Sequence, residues 1–312
     1  MKNKLFIIMG PTAVGKTSIS IELARRLKGG IISADSMQIY KYMNIGTAKI
    51  TKDEMKDIPH YMIDIINPDE EFTVSNYKEM ATNYIKEINC RNKLPIVVGG
   101  TGLYINSLVY NLNFTGVEPN EKIRERYESI RIEKGNQYLH RLLENIDQDS
   151  ANRISINDTK RIIRALEIYE VTGKSMEEYN KNFRSPNEDY DLLMICLNVD
   201  RQKLYNRINT RVDLMIKEGL VNEVKSILDM GFDKNLISLQ GIGYKEIIRY
   251  LENECTLDEA IEKIKQASRN YAKRQLTWFR RDNRIIWIDV DDFKDTNGLA
   301  DEIQEMLIKY LY

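Results

Sequence analysis

Five short apolar runs punctuate the chain: KLFIIM (4–9), GIISAD (30–35), LPIVVGG (94–100), LLMICLN (192–198) and RIIWID (284–289). Each is continuous, so each predicts a strand buried on both faces, as in a parallel sheet. Helical patterns separate most of them. That alternation predicts a doubly wound α/β sheet, with ligands at the carboxyl ends of the strands. Between the third and fourth runs lie about ninety residues, far more than one crossover needs. There Ile123, Tyr127 and Ile130 make one helical stripe before Gly135, and Leu139, Leu142, Leu143 and Ile146 make a second. Ile162, Leu166 and Tyr169 make a third, closed by Gly173 at an expected helix C-terminus. Residues 116–189 are therefore expected to be a helical insertion domain, and 1–115 with 190–312 the α/β core and its C-terminal helices. After the fourth run, Leu204, Ile208 and Met215 share a helical face with Arg211. A helix of about 24 residues is expected after Thr256, whose spacing to Glu259 fits a capping box. It leads into RNYAKRQLTWFRRDNR, which is strongly basic.

The first run opens into GPTAVGKTS, followed by a helical pattern carrying Ile19, Leu23 and Leu27. Strand, glycine loop and helix are the context in which G-x-x-x-x-G-K-[ST] reads as a phosphate-binding loop. It covers Gly10, Pro11, Thr12, Ala13, Val14, Gly15, Lys16 and Thr17. The glycines let backbone N–H groups close around phosphate oxygens, and the helix N-terminus adds partial positive charge. Lys16 adds a full charge and Thr17 a hydroxyl for Mg2+. The bare pattern would arise by chance roughly 1 time in 100 in a chain of this length. It does not say which phosphate is bound.

Asp35 ends the second run in SADSMQIY. Alone it reads as a turn cap; beside a phosphate loop it reads as a base or substrate anchor. The third run ends VVGGTGLY, where a nucleotide hydrolase would carry a magnesium-binding aspartate. Glycines and Thr101 stand there instead. Either the metal is held differently or the ligand is not a hydrolysed nucleoside triphosphate.

With 312 residues, 42% of them hydrophobic and 30% charged, the composition is that of a globular protein, and the formal net charge of −1 argues against a uniformly basic nucleic-acid coat. A local basic face remains open. Cys90, Cys196 and Cys255 are far apart, which suits a reducing cytosol with no disulfide framework or zinc site. His60 and His140 lack metal-ligand spacing. LFIIM is too short for a signal peptide, and no apolar run approaches membrane-spanning length. A cytoplasmic protein with no membrane partner is expected.

GPTAVGKT, SADSMQIYKYMNIGTAK, PHYMIDIINPDEEFTVSNY, VVGGTGLYINSL, DTKRIIRALEIYEVTGKS, RVDLMIKEGLVNEV, QGIGYKEI and KRQLTWFRRD occur in this order. Over nearly its whole length the chain resembles the bacterial tRNA dimethylallyltransferases. The resemblance implies a kinase-like P-loop core, monomeric here, with a tRNA-contacting insertion. It implies transfer of a prenyl group from dimethylallyl diphosphate to N6 of the adenosine 3′ to the anticodon, with Mg2+. Asp35 matches the family's catalytic aspartate. An arginine of the helix after the fourth strand contacts the diphosphate in the family; Arg211 is the first candidate and Arg207, one turn earlier, the other. With Lys16, Arg211 would act on the leaving group. Thr101 matches a threonine at the diphosphate and adenosine site. Asp35, Ser36, Met37 and Gln38 match the segment reading the target base. Asp158, Thr159, Lys160 and Arg161 match further contacts to the anticodon stem-loop, as do Gln240, Gly241, Ile242, Gly243, Tyr244 and Lys245. The family's eukaryotic zinc finger is absent, in keeping with the lack of paired cysteines.

Blander readings stand beside these. Arg164 joins Lys160 and Arg161 near a helix start, yet could simply pair with Glu167. The basic segment reads locally as a plain helix, Trp278 and Phe279 as core, and His60 as structural. A P-loop kinase for a small metabolite is the main rival function. The long insertion and basic segments argue against it. A non-catalytic RNA-binding protein is the third reading, and an intact Lys16, Thr17 and Asp35 argue against lost chemistry.

Overall fold

Strand β1 (Asn3–Met9) carries Leu5, Phe6, Ile7, Ile8 and Met9, all fully buried. Burial on both faces accounts for the unbroken apolar run, and each such side chain contributes about 1.5–3 kcal/mol. The computed structural model describes residues 2–112, 120–179 and 185–311. It is a mixed α/β protein. The remaining strands are β2 (Gly30–Ala34), β3 (His60–Tyr61), β4 (Pro95–Gly99), β5 (Tyr190–Asn198) and β6 (Ile286–Asp289). They form one sheet in the order β3-β2-β4-β1-β5-β6, and every pairing is parallel. The five apolar runs supply five of these strands. β3, which pairs His60 and Tyr61 with Ile31 and Ile32 at one edge, is too short to leave a pattern.

The helices are α1 (Lys16–Leu27), α2 (Lys52–Met55), α3 (Val74–Cys90), α4 (Gly102–Val109), α5 (Glu121–Ile146), α6 (Gln148–Arg153), α7 (Thr159–Thr172), α8 (Met176–Tyr179), α9 (Arg201–Glu218), α10 (Leu220–Asp229), α11 (Tyr244–Leu251), α12 (Leu257–Phe279) and α13 (Thr296–Leu311). Contacts divide the chain into two compact units, Met1–Asn106 with Glu188–Tyr312, and Ser107–Asn187. The expected boundary at 115/116 lies outside the described residues.

In the first unit the Asp200 side chain accepts N–H bonds from Gln202 and Lys203 and starts α9, and Gly219 at φ 103° ends it. The helix buries Leu204, Ile208 and Val212; Met215, expected on that face, is only partly covered. α12 begins with the expected reciprocal bonds between Thr256 and Glu259 and buries Ala272, Gln275 and Phe279. Trp278 is only partly buried.

The second unit is helical. α5 breaks at Gly135, whose φ of 83° and ψ of 166° separate two helical stretches. α7 is capped by Asp158 and ends at Gly173 with φ 69°. Leu139, Leu143, Ile162 and Leu166 pack together. Tyr169, placed on that stripe by spacing, instead stays 37% exposed, while Ile168 is buried. Glu167 is fully buried and accepts from Asn120 N (2.7 Å), Arg124 Nε (2.9 Å) and Nη2 (3.1 Å), and Arg164 Nη1 (2.6 Å). Arg164 is therefore an ion-pair partner inside this unit, which is the blander of its two readings.

Candidate active site

The turn after β1 is made by positive φ at Gly10 (153°), Ala13 (64°) and Gly15 (107°). A Cβ on Gly10 would lie 2.8 Å from the Leu197 carbonyl oxygen, so that position admits only glycine. Pro11 and Val14 are buried beneath the turn. Gly15 caps α1 with no side-chain hydrogen bond, and the first turn of α1 holds no acidic residue. Such a helix start is receptive to an anion. Lys16 Nζ donates to the carbonyls of Gly10 (2.9 Å) and Pro11 (2.7 Å). Burial and the nearby Arg211 guanidinium pull its pKa down to about 8, although Asp35 and Cys196 oppose the shift.

Three neighbouring strands, β1, β4 and β2, end at the same rim, bringing Gly10, Thr101 and Asp35 together. Asp35 Oδ1 accepts the Met37 N–H at 2.9 Å, so Asp35 is a turn cap and a site residue at once. Thr101 Oγ1 accepts the Ser36 N–H at 3.0 Å. Arg211 Nη1 lies 3.4 Å from Thr12 Oγ1, and desolvation lowers its pKa. Arg207 is exposed and stands 4.0 Å from Asp291.

Two cavities meet here. The larger, about 760 Å³, is lined by Thr12, Ala13, Gly15, Lys16, Thr17, Asp35, Gln38, Arg207 and Arg211, among others. The smaller, about 380 Å³, is lined by Ser36, Met37, residues 240–245, Val212, Met215, Ile264 and Arg274. Thr12, Asp35, Thr47, Ala48, Arg211 and Tyr271 border both. Arg211 thus stands at the junction, whereas Arg207 borders only the larger cavity.

Not every expected residue is presented as its motif implied. Gln38 turns toward its own chain: its Oε1 accepts from Ser33 Oγ, and its Nε2 donates to the Thr47 and Ala48 carbonyls. Tyr244 is fully buried and donates to Glu223 Oε1 at 2.7 Å, which makes its ring a core element with no free edge for a base. In the helical unit Asp158 accepts the Arg161 N–H as a cap, while Lys160 and Arg161 are exposed and Thr159 is partly covered. His60 places Nδ1 2.8 Å from the Ile58 carbonyl and borders neither cavity.

Sequence reasoning missed the contribution of α12. Gln275 Oε1 accepts the Thr12 N–H at 3.0 Å, and its Nε2 donates to the Gly100 carbonyl at 3.0 Å, tying the glycine turn to the end of β4. Tyr271 bonds Thr101 and Gln275, and burial raises its hydroxyl to about 12. The signal was a spacing of three and four residues among Tyr271, Arg274 and Gln275, hidden inside a basic run.

Fold and site define an α/β protein in which an anion-receptive helix start, the Asp35 carboxylate and the half-buried cations Lys16 and Arg211 meet at a pair of joined cavities. The chain belongs to the IPP transferase family, whose sequence model matches residues 38–282. It is 52% identical to the tRNA dimethylallyltransferase of Clostridioides difficile over 302 residues, 97% of this chain and 96% of that protein. The full-length tRNA isopentenylpyrophosphate transferase of Bacillus halodurans is 45% identical, with a TM-score of 0.75 over 99% of this chain and 97% of that one. A eukaryotic dimethylallyltransferase acting on tRNA is 30% identical, with a TM-score of 0.83 over 98% of this chain and 80% of its own.

Proposed function

We propose that this enzyme transfers a dimethylallyl group from dimethylallyl diphosphate to N6 of the adenosine 3′ to the anticodon of tRNA, releasing diphosphate. The observation that carries the reading is the meeting of the two cavities at Asp35 and Arg211. One is rich in anion-binding groups. The other is bordered by the segments that match the family's RNA-reading motifs. A small-metabolite kinase would have no use for the second.

The glycine turn acts as a P-loop in a kinase-like core: its amides other than that of Thr12, with Lys16 and Arg211, hold the diphosphate, with Thr12 and Arg207 at the edges and Thr101, which borders neither cavity, bracing Ser36 and Tyr271 behind them. These charges meet the negative charge that builds on the leaving oxygen as the C–O bond breaks. Asp35 accepts the N6 proton as the C–N bond forms. Its Oδ1 is oriented by the Met37 amide. Base assistance of this kind is worth about 10²–10⁴-fold. Among the described residues no group of three or more His, Cys, Asp or Glu could hold a metal. Thr17, which lines the larger cavity at the start of α1, is the residue proposed to hold a Mg2+ ion together with diphosphate oxygens, a donor set that suits a hard cation which retains water. Such an ion would supply further neutralisation of the leaving group.

The target base must leave its stack, at a cost of a few kcal/mol. Ser36, Met37, residues 240–243 and Lys245 are the contacts proposed for it, with the buried Tyr244 holding that segment from behind. The helical unit is proposed as an insertion domain that holds the anticodon stem-loop, with exposed Lys160 and Arg161 meeting phosphates. No helix among the described residues is long and apolar enough to cross a membrane. A cytoplasmic monomer is the working reading.

The test is incubation with an anticodon stem-loop and either labelled dimethylallyl diphosphate or labelled ATP. Label from the prenyl donor alone should enter the RNA. Asp35→Ala should lower single-turnover transfer by at least about 10²-fold while RNA affinity holds within about threefold. Wild-type rates in that variant would remove Asp35 from its role.

A further inference from the structure

The turn at 44–48 is a wall of both cavities: Thr47 and Ala48 border each, and Gly46 borders the smaller. It belongs to no helix or strand, so something else must hold it. That group is Glu223 on α10. Its Oε2 accepts the N–H groups of Asn44 (2.9 Å) and Ile45 (2.7 Å), and its Oε1 accepts that of Gly46 (3.1 Å). Oε1 also accepts from the Tyr244 hydroxyl at 2.7 Å. Tyr244 opens α11, directly after residues 240–243, which line the smaller cavity too. One carboxylate therefore fastens two separate walls of that cavity. Its four bonds are charge-assisted and converge from two segments about 200 residues apart.

The packing around the junction leaves no slack. The Tyr244 ring lies so close to Gly46 that a Cβ there would meet Cε2 at 2.5 Å. Gly241, on the α11 side, faces Met37 as tightly: a Cβ would meet its Cε at 2.5 Å. Lys49 fixes the other end of the turn, donating to the Tyr40 carbonyl and to Asn44 Oδ1. Glu223 itself borders neither cavity, so it does not touch a ligand there.

We propose that Glu223 is a positioning residue that sets the separation of the two walls receiving the target nucleotide, and hence the enzyme's fit to RNA. The proposal rests on the reading of the smaller cavity as the RNA-facing one. Glu223→Gln keeps the volume of the side chain. Its amide can turn so that the oxygen keeps Asn44 and Ile45 and the NH2 meets the Tyr244 hydroxyl. The Gly46 N–H then loses its carboxylate acceptor and keeps only the neutral Tyr244 hydroxyl oxygen, and Gly46 is the one of the three amide donors that borders the cavity.

Wild type, Glu223→Gln and Tyr244→Phe are compared in steady-state transfer of labelled dimethylallyl diphosphate to an anticodon stem-loop, varying each substrate in turn. Glu223→Gln should raise KM for RNA about tenfold, the size of one lost charge-assisted bond. Tyr244→Phe, which keeps the ring, should raise it by less. In both, kcat at saturating RNA and KM for the diphosphate should stay within about twofold. The double variant should show less than the product of the two single effects, because both act on one junction. An RNA KM unchanged in both variants overturns the proposal, and so does an equal loss toward both substrates. A wild type that transfers no label overturns the functional reading together with this inference. A normal wild type with an unaltered Glu223→Gln overturns this inference alone.

Discussion

The ammonium of Lys16 sits in the ligand-free turn at a cost. Its pKa falls from 10.5 to about 8, first through burial and then through Arg211. At 1.36 kcal/mol per pH unit the charged form is disfavoured by roughly 3 kcal/mol. A bound diphosphate supplies the missing counter-charge and raises that pKa. Below pH 8 the free protein is already protonated, so Lys16 contributes no pH dependence to affinity. Above pH 8 each binding event must take up a proton, and affinity should fall tenfold per pH unit. The fall ends at the pKa of the complex, so recovery to the ordinary value would make the whole loss roughly 300-fold. Stability runs the opposite way. Between pH 8 and 10.5 the unfolded chain binds more protons at this site than the native state does. The ligand-free protein should therefore gain stability as pH rises through that window. The assay is calorimetric titration with an unreactive dimethylallyl diphosphate analogue from neutral to alkaline pH at constant ionic strength. Its terminal phosphate is fully ionised above about pH 7. Lys16→Arg is the control, because a guanidinium stays charged throughout. Affinity that is flat to well above pH 9 in wild type would refute the reasoning, as would the same break in Lys16→Arg.

Two further outcomes are expected. Gln275→Glu removes the donor to the Gly100 carbonyl, opposes it with a carboxylate oxygen and adds negative charge beside the glycine turn. Affinity for the analogue should fall by about tenfold or more, while the uncharged Gln275→Met should lose less; calorimetry on the three proteins checks the order. Replacing Lys160 and Arg161 together by alanine should flatten the dependence of stem-loop affinity on log salt. Each lost phosphate contact removes roughly 0.7–0.9 from the slope, and an unchanged slope would remove both residues from the RNA interface.

Periodicity revealed most of the fold because most of the fold is long and regular. β1, β2, β4, β5 and β6 were legible as buried apolar runs, Gly135 and Gly173 as helix breaks, and Thr256 with Glu259 as a cap. β3 was not legible, since two residues carry no period. Among the residues that line the larger cavity, Lys16 and Thr17 were readable because the glycine turn and its helix start are local in sequence. Arg211 was readable as a charge on an apolar face. Gln275 was not: its bond to Thr12 spans 263 residues, and nothing near it in the chain announces that partner. The packing of Tyr244 was hidden for the same reason: its ring lies against Gly46 and its hydroxyl bonds Glu223, partners that no local pattern announces.

The end of β4 raises the remaining question, since glycines stand where a nucleotide hydrolase would place an acid. A Cβ on Gly99 would lie 2.2 Å from the Ala34 carbonyl oxygen, and one on Gly100 would lie 2.1 Å from Gln275 Nε2. One on Gly102 would lie 2.3 Å from the Trp278 ring. The space an aspartate would need is thus taken by β2 and α12. α12 comes this close because it also carries Tyr271 to the junction of the cavities and Gln275 to the glycine turn. No acid can be added at this strand end without pushing that helix away. The carboxylate at the junction of the cavities is then the one that directly follows β2, Asp35. A site with two acids would favour a metal held chiefly by protein oxygens. A single acid at the junction, Asp35, beside Lys16 and Arg211 is the arrangement on which the proposed division of roles rests: a carboxylate to take up a proton and cations to meet a departing anion.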